Sequence, residues 1–157
     1  MSRALYLFFA MFALLSIAEV EAQTIALGER VPRIKNATWF NSSKPPKSDF
    51  TFVQFIHSAS VSCRQSTEQL GAIVEDIPNA TFIVVTHQSA SDIDGWVSKC
   101  VKPRVGIIVD DTTIHDSFGV NYAPYVVVLD SKRRVLWFGN PRLLNRNVID
   151  KIMATTY

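Results

Sequence analysis

Cysteine is scarce in this sequence: Cys63 and Cys100 are the only two in 157 residues. Small secreted scaffolds held by disulfides carry many more, so the fold has to rest on its apolar core. Glycine is also thin, with six residues dispersed along the chain, and no Gly-rich loop forms that would cradle a phosphate. No stripe of Lys and Arg interleaves with aromatics. The densest basic run, Lys132-Arg133-Arg134, sits between two apolar runs and reads as a solvated hairpin turn. Nucleic acid is therefore not an expected partner. His87, His115 and the pair Asp110-Asp111 lack tight metal-ligand spacing, and carboxylates at a strand end commonly form turns, so neither a metal nor a cofactor is expected. The longest apolar run, Ala4 to Ala18, falls short of the roughly 20 residues that span a bilayer.

What is present is a core. Hydrophobic residues make up 48% and charged residues 19%, a balance that suits one packed domain and argues against disorder. The net charge is +2. At the N-terminus Arg3 precedes the apolar run, and Val20-Glu21-Ala22 ends it on a small residue. This is a secretory signal pattern. It divides the chain into a signal peptide, 1–22, and a domain, 23–157, with no membrane span after cleavage. The expected location is extracellular, periplasmic or the lumen of the secretory pathway. Asn36-Ala37-Thr38, Asn41-Ser42-Ser43 and Asn79-Ala80-Thr81 match the acceptor pattern for N-glycosylation in a eukaryotic host.

The pattern of elements alternates. After a proline-containing lead-in, Gln23 to Lys47, the β-branched and aromatic run Thr51–His57 reads as a strand. Cys63–Asp76 reads as a helix: Leu70, Ile73, Val74 and Ile77 recur three and four apart, Ser60 or Ser62 can cap it, and Pro78 follows its end. Thr81–His87 is an apolar strand of the kind buried on both faces. A second helix is expected from Ser91, with Asp94 completing a capping box and Pro103 stopping it. Val105–Val109 is a strand, Ile114–Phe118 a short helix closed by Gly119, and Tyr125–Leu129 with Val135–Phe138 a hairpin. Asn145–Met153 is a terminal helix. The order β-α-β-α-β-α-β-β-α predicts an α/β fold: a central, mostly parallel sheet, an antiparallel C-terminal hairpin, and helices on both faces. In such sheets the working crevice lies at the carboxyl ends of the parallel strands. The turn after His57 and the loop holding Pro124 land there.

Those two segments carry a resemblance. Phe55-Ile56-His57-Ser58-Ala59-Ser60-Val61-Ser62-Cys63-Arg64 resembles the strand-to-helix turn of the thioredoxin-like superfamily, in its TlpA/ResA or AhpC/TSA-type branch, which typically reads F-W-A-x-W-C-x-x-C-R. Phe55, Cys63 and Arg64 match; Ser60 stands where the first Cys belongs, so C-x-x-C has become S-x-x-C. Phe118 to Asp130 is similar to the family's Y-G-V-x-x-x-P-T-x-F-L-I-D segment, with Pro124 in place of its cis-proline. Trp137-Phe138-Gly139-Asn140-Pro141 resembles its W-x-G-x-P element. The likeness implies a thioredoxin-like fold from Gly28 to Met153, protein or peptide thiols and disulfides as partners, and a substrate crevice beside the turn.

Thiol exchange requires a thiolate, which a helix N-terminus favours. In the family the first Cys attacks and the second resolves, and here only the second, Cys63, remains. Ser60 forms no disulfide, so a two-cysteine cycle within this turn is impossible. Cys63 then has three readings. It is a monothiol exchange centre; or a peroxidatic Cys, for which Ser60 fits but Ile56 replaces the family's Pro and Arg64 would have to point inward; or a buried relic on a fold used for binding. The loop before Pro124 pairs with extended substrate backbone in this family without needing a cysteine, so Ser60, Ala123 and Pro124 are the implied binding residues, with Tyr122 and Tyr125 alongside. His57 is a candidate base or a satisfied strand-end residue. Cys100, at the far end of its helix, is expected too distant for the roughly 7 Å Cα limit of a bridge to Cys63, and reads as a small hydrophobe or an intermolecular partner.

Overall fold

Strand-forming runs build the centre and register places them. In the computed structural model, which describes residues 25–156 apart from Asp94 and Asp111, the strands are β1 (Thr38–Trp39), β2 (Phe50–Ile56), β3 (Ala80–Thr86), β4 (Val105–Val109), β5 (Tyr125–Asp130) and β6 (Val135–Gly139). The helices are α1 (Val61–Glu75), α2 (Gly95–Ser98), α3 (Thr113–Ser117) and α4 (Arg146–Ala154). The expected signal segment, 1–22, and Asp94 of the expected capping box lie outside the described residues.

The strands form one six-stranded sheet in the order β1-β4-β3-β2-β5-β6. Its centre, β4-β3-β2, is parallel. β5 and β6 continue it antiparallel on one side, and β1 caps the other edge antiparallel to β4. Alternation along β2 sends Phe52 and Ile56 to one face and Val53 and Phe55 to the other. The first face packs α1 and α4 through Leu70, Val74 and Ile149. The second packs α3 and the lead-in through Ile114, Phe118 and Val31. Phe52, Phe55 and Phe82 are at most 1% exposed, and burying each is worth roughly 2–3 kcal/mol.

Two departures from the sequence pattern bear on the site. The helix expected from Ser91 is a 3-10 turn, Ala90–Asp92, followed by the single turn α2. Ser89 Oγ bonds the Asp92 carboxylate and Ser91 Oγ. Such short polar side chains compete with helical pairing, and Ile93 is already extended. The lead-in, to which the sequence assigned no element, contributes β1. It approaches β4 at Gly106, where a Cβ would meet the Ser43 carbonyl and the Trp39 ring at 2.6 Å.

Candidate functional site

The turn from β2 into α1 is closed by its own polar atoms. Ser60 has extended backbone and caps α1: its Oγ accepts the Cys63 N–H at 3.2 Å. Its amide donates to the His57 carbonyl and its carbonyl accepts from Arg64. Cys63 follows in the first turn and is 0% exposed. Its Sγ accepts the His57 amide N–H at 3.4 Å, and its carbonyl accepts from Ser66 and Thr67 hydroxyls. The sulfur therefore ties the turn together from beneath. Ser58 is buried too: its amide donates to Gln88 Oε1 and its carbonyl accepts the Trp96 indole N–H at 2.8 Å. Arg64 turns outward to Glu68, 3.0 Å away, with both side chains more than half exposed. It is thus absent from the Cys63 sulfur, where the peroxidatic reading needs it.

The second wall comes from β5. Register pairs Phe55 with Tyr125, so the residues just before β5 run beside the exit of β2. The Ala123–Pro124 peptide is cis, as the resemblance implies. Pro124 is buried while Tyr122 and Ala123 are exposed. Among the described residues, no hydrogen bond engages the backbone of Ala123. Tyr122 stacks edge-on against Tyr125 with centroids 5.0 Å apart, and burial raises the Tyr125 hydroxyl above the usual tyrosine pKa, with Tyr122 adding to it. Val61, 69% exposed, and Tyr122, 54% exposed, leave apolar surface on either side of this edge.

A third group was not assembled from the sequence. His57, His87 and Asp110 each come one residue past the end of a parallel strand, β2, β3 and β4. Parallel strands bring their carboxyl ends to one edge, so these three side chains meet there, joined by His115 from α3. The His57 and His87 rings lie 5.8 Å apart, and the His87 and His115 rings 5.2 Å apart. Asp110 anchors the row. Its carboxylate accepts the Ile114 and His115 amide N–H groups at 3.0 Å and meets His115 Nδ1 at 2.7 Å. That contact fixes the imidazole's orientation. Burial lowers the proton affinity of His87, His115 and His57 lower it further, and Asp110 opposes them. Among the described residues, no three His, Cys, Asp or Glu side chains are grouped to hold a metal ion. The one trace in the sequence is that three strand ends in succession carry a titratable residue, while strand order decides that they meet.

The remaining sequence candidates lie apart. Both cysteines are free. Cys100 is half-buried, its Sγ donates to the Trp96 carbonyl, and burial raises its pKa. It lines a groove of about 630 Å³ between α1 and the α2 region, with Arg64, Glu68, Gly71 and Lys102, away from Pro124. Asn36, Asn41 and Asn79 are exposed and all have positive φ, 53°, 49° and 57°. Asn tolerates that left-handed backbone better than most residues, which accounts for its presence at all three. Gln54, fully buried behind the turn, donates to Ser66 Oγ at 2.9 Å. Its Oε1 has no partner among the described residues.

No family model and no curated protein matches the chain. Solved structures do. A thioredoxin-like protein from Aeropyrum pernix superposes with a TM-score of 0.59 at 14% identity, covering 74% of this chain and 81% of that one. A peroxiredoxin-like protein from Aquifex aeolicus gives 0.61 at 13% identity over 84% and 88%. A secreted disulfide oxidoreductase of Mycobacterium tuberculosis gives 0.54 at 17% identity over 65% and 81%. With the parallel centre, the antiparallel hairpin and the cis-proline at the carboxyl edge, these likenesses identify the fold of this chain as thioredoxin-like.

Proposed function

We propose that this protein is a secreted thioredoxin-fold binding module that takes up an extended peptide at the crevice of Ser60, Ala123 and Pro124, without disulfide exchange. The observation that carries the reading is the contrast between the two walls. Cys63 is fully buried with its sulfur engaged by the His57 amide. Ala123 is exposed, and its backbone makes no internal hydrogen bond among the described residues. A free backbone edge beside exposed apolar side chains suits strand-like peptide pairing, in which main-chain bonds supply affinity and flanking pockets supply selectivity. Val61 and Tyr122 would flank the peptide. Secretion, with cleavage after residue 22, is part of the proposal. It is supported by the N-terminal pattern and by likeness to a secreted oxidoreductase. Asn36, Asn41 and Asn79 are proposed acceptors on the exposed surface of the domain.

Exchange with protein or peptide thiols through Cys63 is the competing reading, and it requires the sulfur to reach solvent. One experiment separates them. Peptides are selected from a random library on the mature chain, and their affinity is measured on variants. Tyr122→Asp should weaken binding about tenfold or more, the loss of an exposed aromatic that the peptide would cover, and Cys63→Ser should leave it unchanged. Failure to select any peptide, or a reductase or peroxidase activity that Cys63→Ser abolishes, would sink the proposal.

A further inference from the structure

We propose that His57, His87 and His115, set edge to face in a row that Asp110 anchors through His115, form an acid-sensitive latch. It holds the β2–α1 turn against the ends of β3 and β4 while His87 is neutral, and releases the turn when His87 binds a proton.

The turn is tied to β3 at two adjacent points. The His57 ring lies edge-on to the His87 ring, and the Ser58 amide donates to Gln88 Oε1, the next side chain along. Gln88 is itself positioned by Thr86 Oγ1, which is buried at the end of β3. Past His87 the row continues to His115, and Asp110 holds His115 in place from the end of β4. His87 is thus the middle member, flanked by an imidazole on each side. A proton on it meets four influences. Partial desolvation of His87, which stays largely exposed, comes first, then His115 from α3 and His57 from the turn, and all three disfavour the charge; Asp110 favours it. The balance lowers the proton affinity of His87 in the closed state.

The sign follows. A histidine whose proton affinity is reduced in the closed state favours closure above its free pKa of about 6.5. That contribution is lost as pH falls through the lower, closed-state value. Acid therefore pulls the turn away from β3, separating His57 from His87 and freeing the Ser58 amide. The same movement carries Ser60, one wall of the crevice. What the latch regulates rests on the peptide-binding reading of that wall, whereas its existence is tested without any peptide.

Amide hydrogen exchange, corrected for the intrinsic effect of pH, reads the latch at the Ser58 N–H, which donates to Gln88 Oε1 across the contact between the turn and β3. Protection should hold steady from about pH 8 to 6.5 and then fall, by about tenfold per pH unit between the open and closed pKa values of one group. Amides of the β2–β3 ladder should keep theirs. His87→Asn should abolish the fall. Independently, the NMR titration midpoint of the His87 ring should rise in His57→Ala, so the latch is testable even if His87→Asn folds poorly. The proposal is overturned if protection is flat in the native chain, falls equally in His87→Asn, or falls together with the ladder, or if the His87 midpoint ignores His57→Ala. Loss of peptide binding with the latch intact would overturn only the binding reading.

Discussion

The β2–α1 turn and the histidine row both begin where β2 ends, yet they use their polar groups in opposite ways. In the turn, every group that resembles redox machinery is consumed internally: Ser60 as a helix cap, Cys63 as an acceptor for a backbone amide, Arg64 as a surface ion pair. In the row, the carboxylate is buried and satisfied, while the imidazoles step outward from half-buried His115 to exposed His87 and His57. Residues that match a motif can thus survive as architecture, because helix capping and turn closure use the same positions as chemistry. Residues that match no motif can still converge, because parallel strands deliver their ends to one edge.

The largest expected effect tests the anchor of the row. Asp110→Ala leaves the Ile114 and His115 amides without their acceptor, a loss of about 3 kcal/mol in urea unfolding. A loss under about 1 kcal/mol would mean that the row stands without Asp110. Next is the closure of the turn. With Cys100→Ala to remove the second thiol, alkylation of Cys63 at about pH 8 should run about 100-fold slower than a free thiol, because it waits on local opening. A rate near the free value would erase the contrast between the two regions. Ser60→Ala should cost about 1 kcal/mol of stability, the ordinary worth of a helix cap. It should leave the His87 titration in place, which separates the turn from the row. The smallest effect concerns Gln54. Gln54→Leu removes a buried oxygen without a partner and should change stability by less than about 1 kcal/mol, in the stabilising direction. A large loss would assign the amide a structural role behind Cys63.

Much of the fold was legible because its signals are local. The runs 51–57, 81–87 and 105–109 lie within a residue of β2, β3 and β4, and Ser60 and Asn145 cap α1 and α4 through their side chains. The failures are also physical. β1 has two residues, too few to carry a period, and exists because Gly106 admits the lead-in against β4. The segment from Ser91 reads as a helix because Ile93, Trp96, Val97 and Val101 are spaced as an apolar face, but at its start the side chains of Ser89, Ser91 and Asp92 bond one another instead. At the site, the turn and the cis-proline loop were readable from resemblance. The row was not, because it depends on which strands are neighbours.

The sequence by itself determined the order of the five longer strands and of the two main helices, the polar caps that start those helices, the parallel centre and the edge where a site belongs, since each follows from local pattern and from the handedness of strand connections. Only the tertiary structure decided what the groups at that edge do. Whether a sulfur reaches solvent, whether Arg64 turns in or out, and whether three histidines touch are set by packing and register between residues far apart in the chain, which no local pattern encodes.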